Sequence, residues 1–270
     1  MNRIATISAA AALAISPLAV TAVSLEAAAA PATTTSVSAK APAYSVTAKA
    51  DRRTAIAKED KVKVTGRVSP RAAGEKVTLQ QRVGDKKSWK KTATAKIRRN
   101  GTYVLKDKPT TPGSREYRVL KPGHDGIRQG VSKPLPVVVY GWAKLAYRSV
   151  GPHANVAVAS TTIGTDDYTP SLVTETAGTA SFIEFTLGRK CTQLRSTYAL
   201  TDSAATGSSG SVTVTADGTV RANHALAVGT VVADQVTDIT DAYRLRFDLA
   251  TSAVPAAVAA VAEPEVLCTR

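Results

Sequence analysis

The sequence predicts an all-β protein built from two β-sandwiches. Apolar and polar residues alternate in short runs, which is the period of a half-buried strand, and clusters of Gly, Pro, Asn, Asp and Ser separate these runs. Residues 44–140 contain no stretch of ten residues with the 3.6-residue period of an amphipathic helix. Charge divides the chain into the same two parts: residues 43–140 contain 24 Lys and Arg against 8 Asp and Glu, and residues 141–270 contain 9 against 12.

A segment typical of a signal peptide opens the chain. Arg3 precedes an almost unbroken apolar stretch at 4–23, and a run of small residues follows at 27–30, which is the order of parts in a cleaved export signal. We therefore expect a signal peptide over residues 1–30 and a secreted mature protein, extracellular or associated with the cell wall, with no transmembrane segment after cleavage. Residues 31–43, rich in Ala, Thr, Ser and Pro, predict a flexible spacer. The alternative is an uncleaved membrane anchor with residues 31–43 as its stalk.

Seven short strands are predicted between residues 44 and 140. Asn100-Gly101 predicts a tight hairpin between the fourth and the fifth strand, because Asn-Gly adopts the positive φ of a primed turn at low cost. Trp89 is in phase with Ala93 and Ala95 and is therefore predicted to face the core rather than a ligand. The number and spacing of the strands favour an immunoglobulin-like β-sandwich over a small closed barrel. The predicted strands are at 44–49, 62–68, 77–83, 89–97, 103–105, 117–119 and 135–140.

This first half also contains four motifs that describe sandwich strands and turns rather than chemistry. They are G-R-V-S-P at 66–70, K-V-T-L-Q-Q-R at 76–82 with Trp89 after it, N-G-T-Y at 100–103 and Y-R-V-L-K-P at 117–122. Together they resemble the Ig-like domains of secreted bacterial surface proteins over most of residues 44–140. The resemblance implies a spacer or adhesion module.

The basic charge of the chain is confined to this first half. Residues 43–140 have a net charge of +16, and outside a cell such a domain is attracted to polyanions, with an affinity that falls as salt rises. The candidate partners are phosphate-rich wall polymers, uronate polysaccharides, anionic membrane surfaces and free nucleic acid, the last without sequence specificity. The alternative is a solvated basic surface that binds none of them.

The second half is also predicted to be β-structure, after a linker and first strand at 141–154. The Ala-rich stretch 253–261 fits either a short helix or a long loop before a last strand. Cys191 and Cys268, the two cysteines of the chain, are 77 positions apart. In an exported chain they predict one disulfide, which would fix the last strand, and two buried free thiols are the alternative. The predicted strands are at 155–160, 180–187, 194–200, 211–215, 228–232 and 243–249.

The second half contains an ordered set of motifs as well. They are F-T-L-G-R-K-C at 185–191, L-T-D-S at 200–203, V-T-V-T-A-D-G at 212–218, V-G-T at 228–230, the segment 236–240, R-L-R at 244–246 and V-L-C at 266–268. Their order and spacing resemble the NPCBM family of carbohydrate-binding modules, which are often appended to glycoside hydrolases or to other secreted proteins. The resemblance implies a jelly-roll-like β-sandwich over residues 155–270 and carbohydrate binding. The chain departs from the family at 253–265, which lacks the Asp, His and Trp that sugar- or calcium-binding members have before the final strand.

The sequence contains no catalytic motif. G-x-S-x-G, H-E-x-x-H, a Gly-rich phosphate loop and a cysteine pair at metal spacing are all absent, which predicts that the protein is not an enzyme. His124, His153 and His224 are scattered and lie near turn residues, so each is predicted to be a surface imidazole. A hydrolase whose reactive residues meet only in the fold is the alternative.

The candidate ligand-binding residues are Asp166, Asp167, Tyr168 and Asp202. If the first three lie in a loop, they suit a sugar, because carboxylates accept hydrogen bonds from hydroxyl groups and an aromatic ring packs on the C–H face. A solvated turn is the alternative. No cofactor is predicted, although Asp202 could bind calcium together with backbone carbonyl oxygens. Asp217-Gly218 matches a family position and equally an ordinary hairpin turn.

The sequence thus predicts a secreted, non-enzymatic binding protein. Its second half would bind an extracellular or cell-wall glycan, and its basic first half would aid retention at an anionic cell-wall polymer. The alternative is a structural or adhesion protein that contacts another exported protein and binds no sugar.

Overall fold

Residues 41–269 are described by the structure, a computed structural model. The predicted signal peptide at 1–30 and residues 31–40 of the predicted spacer lie outside the described residues. The described part of the chain contains nineteen strands, a single turn of 3₁₀ helix at Leu145–Tyr147 and no α-helix. The prediction of an all-β chain is therefore confirmed for this part.

The first half consists of nine strands in two layers. These are β1 (Ser45–Ala50), β2 (Thr54–Ile56), β3 (Val62–Ser69), β4 (Lys76–Val83), β5 (Lys90–Lys96), β6 (Thr102–Asp107), β7 (Gly113–Lys121), β8 (Gly130–Val131) and β9 (Leu135–Lys144). One layer is the sheet β1-β3-β6, and the other has the order β2-β9-β7-β4-β5, with β8 paired to β7. Every pairing is antiparallel except that of β2 with β9. Alternate side chains, such as Leu79, Tyr103 and Tyr117, are buried between the layers.

A close approach between β1 and β3 requires glycine at position 66. A Cβ atom there would lie 1.8 Å from the Thr47 carbonyl oxygen and 2.5 Å from the Tyr103 hydroxyl oxygen. The Tyr103 hydroxyl donates a hydrogen bond to that carbonyl at 2.6 Å. The missing side chain at Gly66 therefore permits the bond that joins β6 to β1 across β3.

The second half consists of ten strands, again in two layers. These are β10 (Val150–Ala154), β11 (Val156–Ile163), β12 (Asp166–Thr174), β13 (Ser181–Thr186), β14 (Cys191–Leu200), β15 (Ser209–Ala216), β16 (Thr219–Ala227), β17 (Val231–Asp238), β18 (Arg244–Thr251) and β19 (Ala259–Cys268). One layer has the order β10-β13-β18-β15-β16, and the other has the order β11-β12-β19-β14-β17. Between them Phe185 and Phe247 pack edge to face, with ring centroids 6.5 Å apart.

Strand β9 is shared by the two halves. Its residues 135–140 pair with β7 and β2, and its residues 141–144 pair with residues 265–268 of β19. The start of the segment 141–154, for which a linker and a first strand were predicted, is thus a continuation of β9. Residues 41–269 accordingly form one compact unit.

The predicted disulfide between Cys191 and Cys268 is confirmed. The two residues are direct cross-strand partners on β14 and β19, and both are buried. Cys268 also pairs with Gly141 of β9 on the other edge of β19. The bond therefore lies at the point where β9 passes from one half to the other.

The hairpin predicted at Asn100-Gly101 is wrong. Asn100-Gly101 does form a turn, in which the Gly101 N–H donates to the Arg98 carbonyl at 2.9 Å. However, β5 pairs with β4 and β6 pairs with β3, so this turn connects the two layers and does not close a hairpin. Of the two alternatives for the stretch 253–261, the helix is wrong and the loop holds for residues 253–258, where a turn at 253–256 leads into β19 at Ala259.

Candidate functional site

The structure brings Asp202 to the hairpin that contains the other three predicted ligand-binding residues. Strands β11 and β12 form this hairpin, and the Asp202 carboxylate accepts a hydrogen bond from the backbone N–H of Gly164 in its turn, at 2.8 Å. The Asp167 carboxylate accepts another from the Thr162 hydroxyl, at 2.7 Å. Asp166, Asp167 and Tyr168 lie at the start of β12 and not in a loop. Both of these bonds stabilise the hairpin itself.

Tyr168 packs on a small apolar patch on the outer side of this layer. The patch consists of Ile163, Ala199, Ala260 and Ala262. Burial raises the pKa of the Tyr168 hydroxyl, and the negative charges of nearby Asp166, Asp234 and Glu263 raise it further. Within residues 41–269, no group of three or more His, Cys, Asp or Glu side chains is placed to hold a metal ion, and calcium binding by Asp202 stays a prediction.

A cleft of about 410 Å³ lies instead on the outer side of the other layer. It is in the size range of small-ligand sites. Its walls come from three places in the chain: β13, the β15–β16 turn, and the start of β18. The lining side chains include two carboxylates, two guanidinium groups and a half-exposed aromatic ring, and they are Glu184, Asp217, Tyr243, Arg244 and Arg246.

Local structure fixes the rim of this cleft. Asp217 and Gly218 both have positive φ, at 47° and 79°, and form the tight turn between β15 and β16, which is the hairpin alternative for this pair. The Asp217 carboxylate accepts hydrogen bonds from the backbone N–H groups of Tyr243 and Arg244, at 2.9 and 2.8 Å. These two bonds lower the pKa of Asp217 and hold the Tyr243 backbone at the rim.

The floor of the cleft is a network of opposite charges. Arg246 donates to Glu184 at 2.9 Å and to Asp248 at 2.8 Å, and the bond to Asp248 is the larger cause of its raised pKa. One carboxylate oxygen of Glu184, Oε2, is buried without a hydrogen-bond donor in the described part of the chain. It lies 3.6 Å from Arg244 Nη1. This oxygen is itself covered, so the groups that the cleft presents to a polar ligand are the exposed carboxylate of Asp217 and the exposed guanidinium group of Arg244.

Trp89 lies on the outer face of the first half, and the prediction that it faces the core is wrong. Ala93 pairs with Leu79 but Lys91 pairs with Gln80, so β5 contains one extra residue, Thr92. Such a bulge exchanges the two faces of a strand. Trp89 therefore leaves the phase of Ala93 and is partly exposed.

On that outer face the Trp89 ring contacts two arginines. The Cζ atoms of Arg82 and Arg118 lie 4.9 and 4.1 Å from the centre of the ring. Burial lowers the pKa of Arg118, and so does the positive charge of Arg82. We call this surface the basic face, and its charged strand residues are Lys76, Arg82, Lys91, Lys96, Glu116 and Arg118.

Comparison with known proteins does not assign the chain to a family. No family model matches it, and no curated protein matches it. The resemblances to Ig-like domains and to the NPCBM family therefore stay predictions. Among the described residues, no helix is both long enough and apolar enough to cross a membrane.

Proposed function

We propose that this chain is a secreted, non-enzymatic protein that binds an extracellular or cell-wall glycan through its second half. The observation that carries the proposal is the cleft around Tyr243. It combines a half-exposed aromatic ring with the carboxylates of Glu184 and Asp217 and with guanidinium groups. A sugar needs these groups, since each of its hydroxyls both donates and accepts a hydrogen bond and its C–H face packs on a ring.

The state of the carboxylates in the cleft favours binding over catalysis. A glycoside hydrolase needs one carboxyl group with a raised pKa as its general acid. The pKa of Asp217 is lowered, and Glu184 is paired with Arg244 and Arg246. Asp217 is therefore not prepared to donate a proton near neutral pH.

We further propose an immunoglobulin-like sandwich for residues 44–140 and a jelly-roll-like sandwich for residues 155–270. Support comes from the two layers in each half and from the motif order given above. The basic half would aid retention at anionic surfaces, because its charge of +16 attracts polyanions at low salt. In this proposal, the shared strand β9 joins the basic half directly to the half that contains the Tyr243 cleft.

A glycan array tests the sugar-binding proposal. The protein is residues 41–270, because the halves share β9 and have not been shown to fold apart. It is probed with and without calcium, which also tests the calcium prediction for Asp202. Tyr243→Ala is expected to abolish binding, and Tyr147→Ala is the matched control because Tyr147 is 75% exposed outside the cleft. Tyr168→Ala tests the hairpin cluster in the same way. If no glycan binds, or if Tyr243→Ala binds as the wild type does, the proposal is wrong.

Exposed valines favour a second candidate function, contact with another exported protein. Val220 on β16 is 58% exposed, and Val231 and Val236 on β17 are 46% and 56% exposed. These two strands lie at the edges of their layers, where apolar side chains and unpaired backbone groups suit a protein partner. A pull-down of one exported protein that sugars do not compete away, and that Val236→Lys abolishes, would establish this alternative.

A further inference from the structure

We propose that the basic face around Trp89 is a binding site for a phosphodiester polymer of the polyol phosphate type. The inference deepens the retention role within the proposed function, on which it rests. It concerns the first half of the chain, away from the Tyr243 cleft. Its basis is the arrangement of two guanidinium groups, one ring and a row of lysines on β4, β5 and β7.

The two arginines are held so that their N–H edges remain available. A guanidinium group that stacks on an aromatic ring uses its flat side, and its donors point outward in its own plane. Arg82 donates from Nε and Nη2 to Glu116, and Arg118 donates from Nε to Gln80 at 2.8 Å. In residues 41–269, no acceptor bonds Nη1 of Arg82 or either terminal nitrogen of Arg118.

Charge at this point is not balanced by the protein. Glu116 pairs with Arg82, and within residues 41–269 no carboxylate pairs with Arg118, whose pKa is lowered by burial and by the positive charge of Arg82. An anion placed between the two groups would remove this repulsion and accept their free N–H donors. The whole basic face has five positive strand residues and one negative, so it favours a ligand with several charges.

The lysines extend the site across the sheet. Lys91 and Arg118 both pair with Gln80, from opposite sides, so they lie in one row across β5, β4 and β7. Because neighbouring strands are about 4.8 Å apart, the backbones of these two residues are separated by about 10 Å. Lys76 and Lys96 form a second cross-strand pair. A row of this length suits a chain of repeating anions better than a single ion.

The geometry favours phosphodiesters over uronates and nucleic acid. A tetrahedral phosphodiester can direct its two free oxygens to two guanidinium groups, whereas a planar carboxylate matches the fork of one. Single-stranded nucleic acid sites present an open aromatic ring for a base. Here the Cζ atoms of Arg82 and Arg118 already lie over the Trp89 ring, so phosphate contacts are expected to dominate.

The test compares two variants that remove the same charge. Arg82→Gln/Arg118→Gln removes two positive charges from the basic face. Lys63→Gln/Lys106→Gln removes two from a pair of exposed cross-strand neighbours on the other layer. Binding of residues 41–270 to poly(glycerol phosphate) is measured at several salt concentrations, with polygalacturonate and single-stranded DNA as parallel probes. We expect the arginine variant to bind at least about tenfold more weakly and the lysine variant to change less than about threefold.

A second measurement reads the site directly and does not depend on those variants folding. In Trp142→Phe protein, Trp89 is the remaining tryptophan, and its fluorescence should change with poly(glycerol phosphate) at the same concentrations at which binding occurs. Equal losses in the two double variants, or an unchanged Trp89 signal at saturation, would overturn the site and leave only diffuse attraction. Tighter binding of polygalacturonate or DNA would overturn the phosphodiester assignment. The Tyr243 variants report on the glycan proposal independently.

Discussion

Removal of the Cys191–Cys268 disulfide is expected to lower the free energy of unfolding. The size of the loss depends on the number of residues between the two cysteines. The bond closes a loop over 77 positions, for which the chain-entropy relation gives about 4.5 kcal/mol at 25 °C. For a protein of this size, about 1 kcal/mol corresponds to a Tm change of about 2–4 °C. The bond should therefore raise the Tm by about 9–18 °C.

The assay is calorimetric unfolding of residues 41–270 before and after complete reduction. Both cysteines are buried, so the reductant is added under denaturing conditions and the protein is refolded in its presence. Cys191→Ala/Cys268→Ala is the control, because the reductant should not change its Tm. Hydrogen exchange should increase most at residues 265–268 of β19 and at residues 141–144 of β9, which pair beside the bond. A Tm change below about 3 °C, or uniform exchange, would refute the reasoning.

Three further perturbations test the packing and the titration of the fold. Gly66→Ala should destabilise the protein by about 3 kcal/mol in denaturant unfolding, because its Cβ would overlap the Thr47 carbonyl; Gly141→Ala, which meets only Pro112 carbons at 3.3 Å or more, should cost less. Phe247→Ala should cost about 3–5 kcal/mol through a cavity beside Phe185, against less than about 0.5 kcal/mol for exposed Val220→Ala, and similar losses would contradict this. Burial lowers the pKa of His224 from its usual 6.5, so the unfolded state binds the proton first and stability should fall as pH drops below about 6.5. The slope of Tm against pH there should flatten in His224→Phe, and an unchanged slope would exclude this histidine as its cause.

Alternation of apolar and polar residues was sufficient to predict most strands. All seven strands predicted in the first half are present, with shifts of a few residues at their ends. The missed strands include β10 and β16, which lie at the edges of a layer. Most of their side chains are exposed on both faces, so no apolar alternation marks them. The strand predicted at 228–232 begins later than predicted, because residues 228–230 form the turn between β16 and β17.

The sites could not be predicted because pairing register is not visible in one sequence. The cleft joins Glu184 to Asp217 and Tyr243 only because β13, β18 and β15 are neighbours. The predicted face of Trp89 is wrong because β5 contains one extra residue, Thr92, and this bulge places Trp89 on the opposite face of the sheet. The prediction of a surface imidazole at His224 is wrong as well, since its ring stacks on buried Tyr198 with centroids 4.5 Å apart.

The most direct test of the account is retention of residues 41–270 on purified cell-wall material across a salt series. The wild type should be retained at low salt, Arg82→Gln/Arg118→Gln should weaken the salt-sensitive part by at least about tenfold, and Tyr243→Ala should lose the part that remains at high salt. Reducing sugar should not be released during incubation. Wild-type protein that is not retained at low salt, or that releases sugar from the wall, would contradict a binding protein with two separate sites.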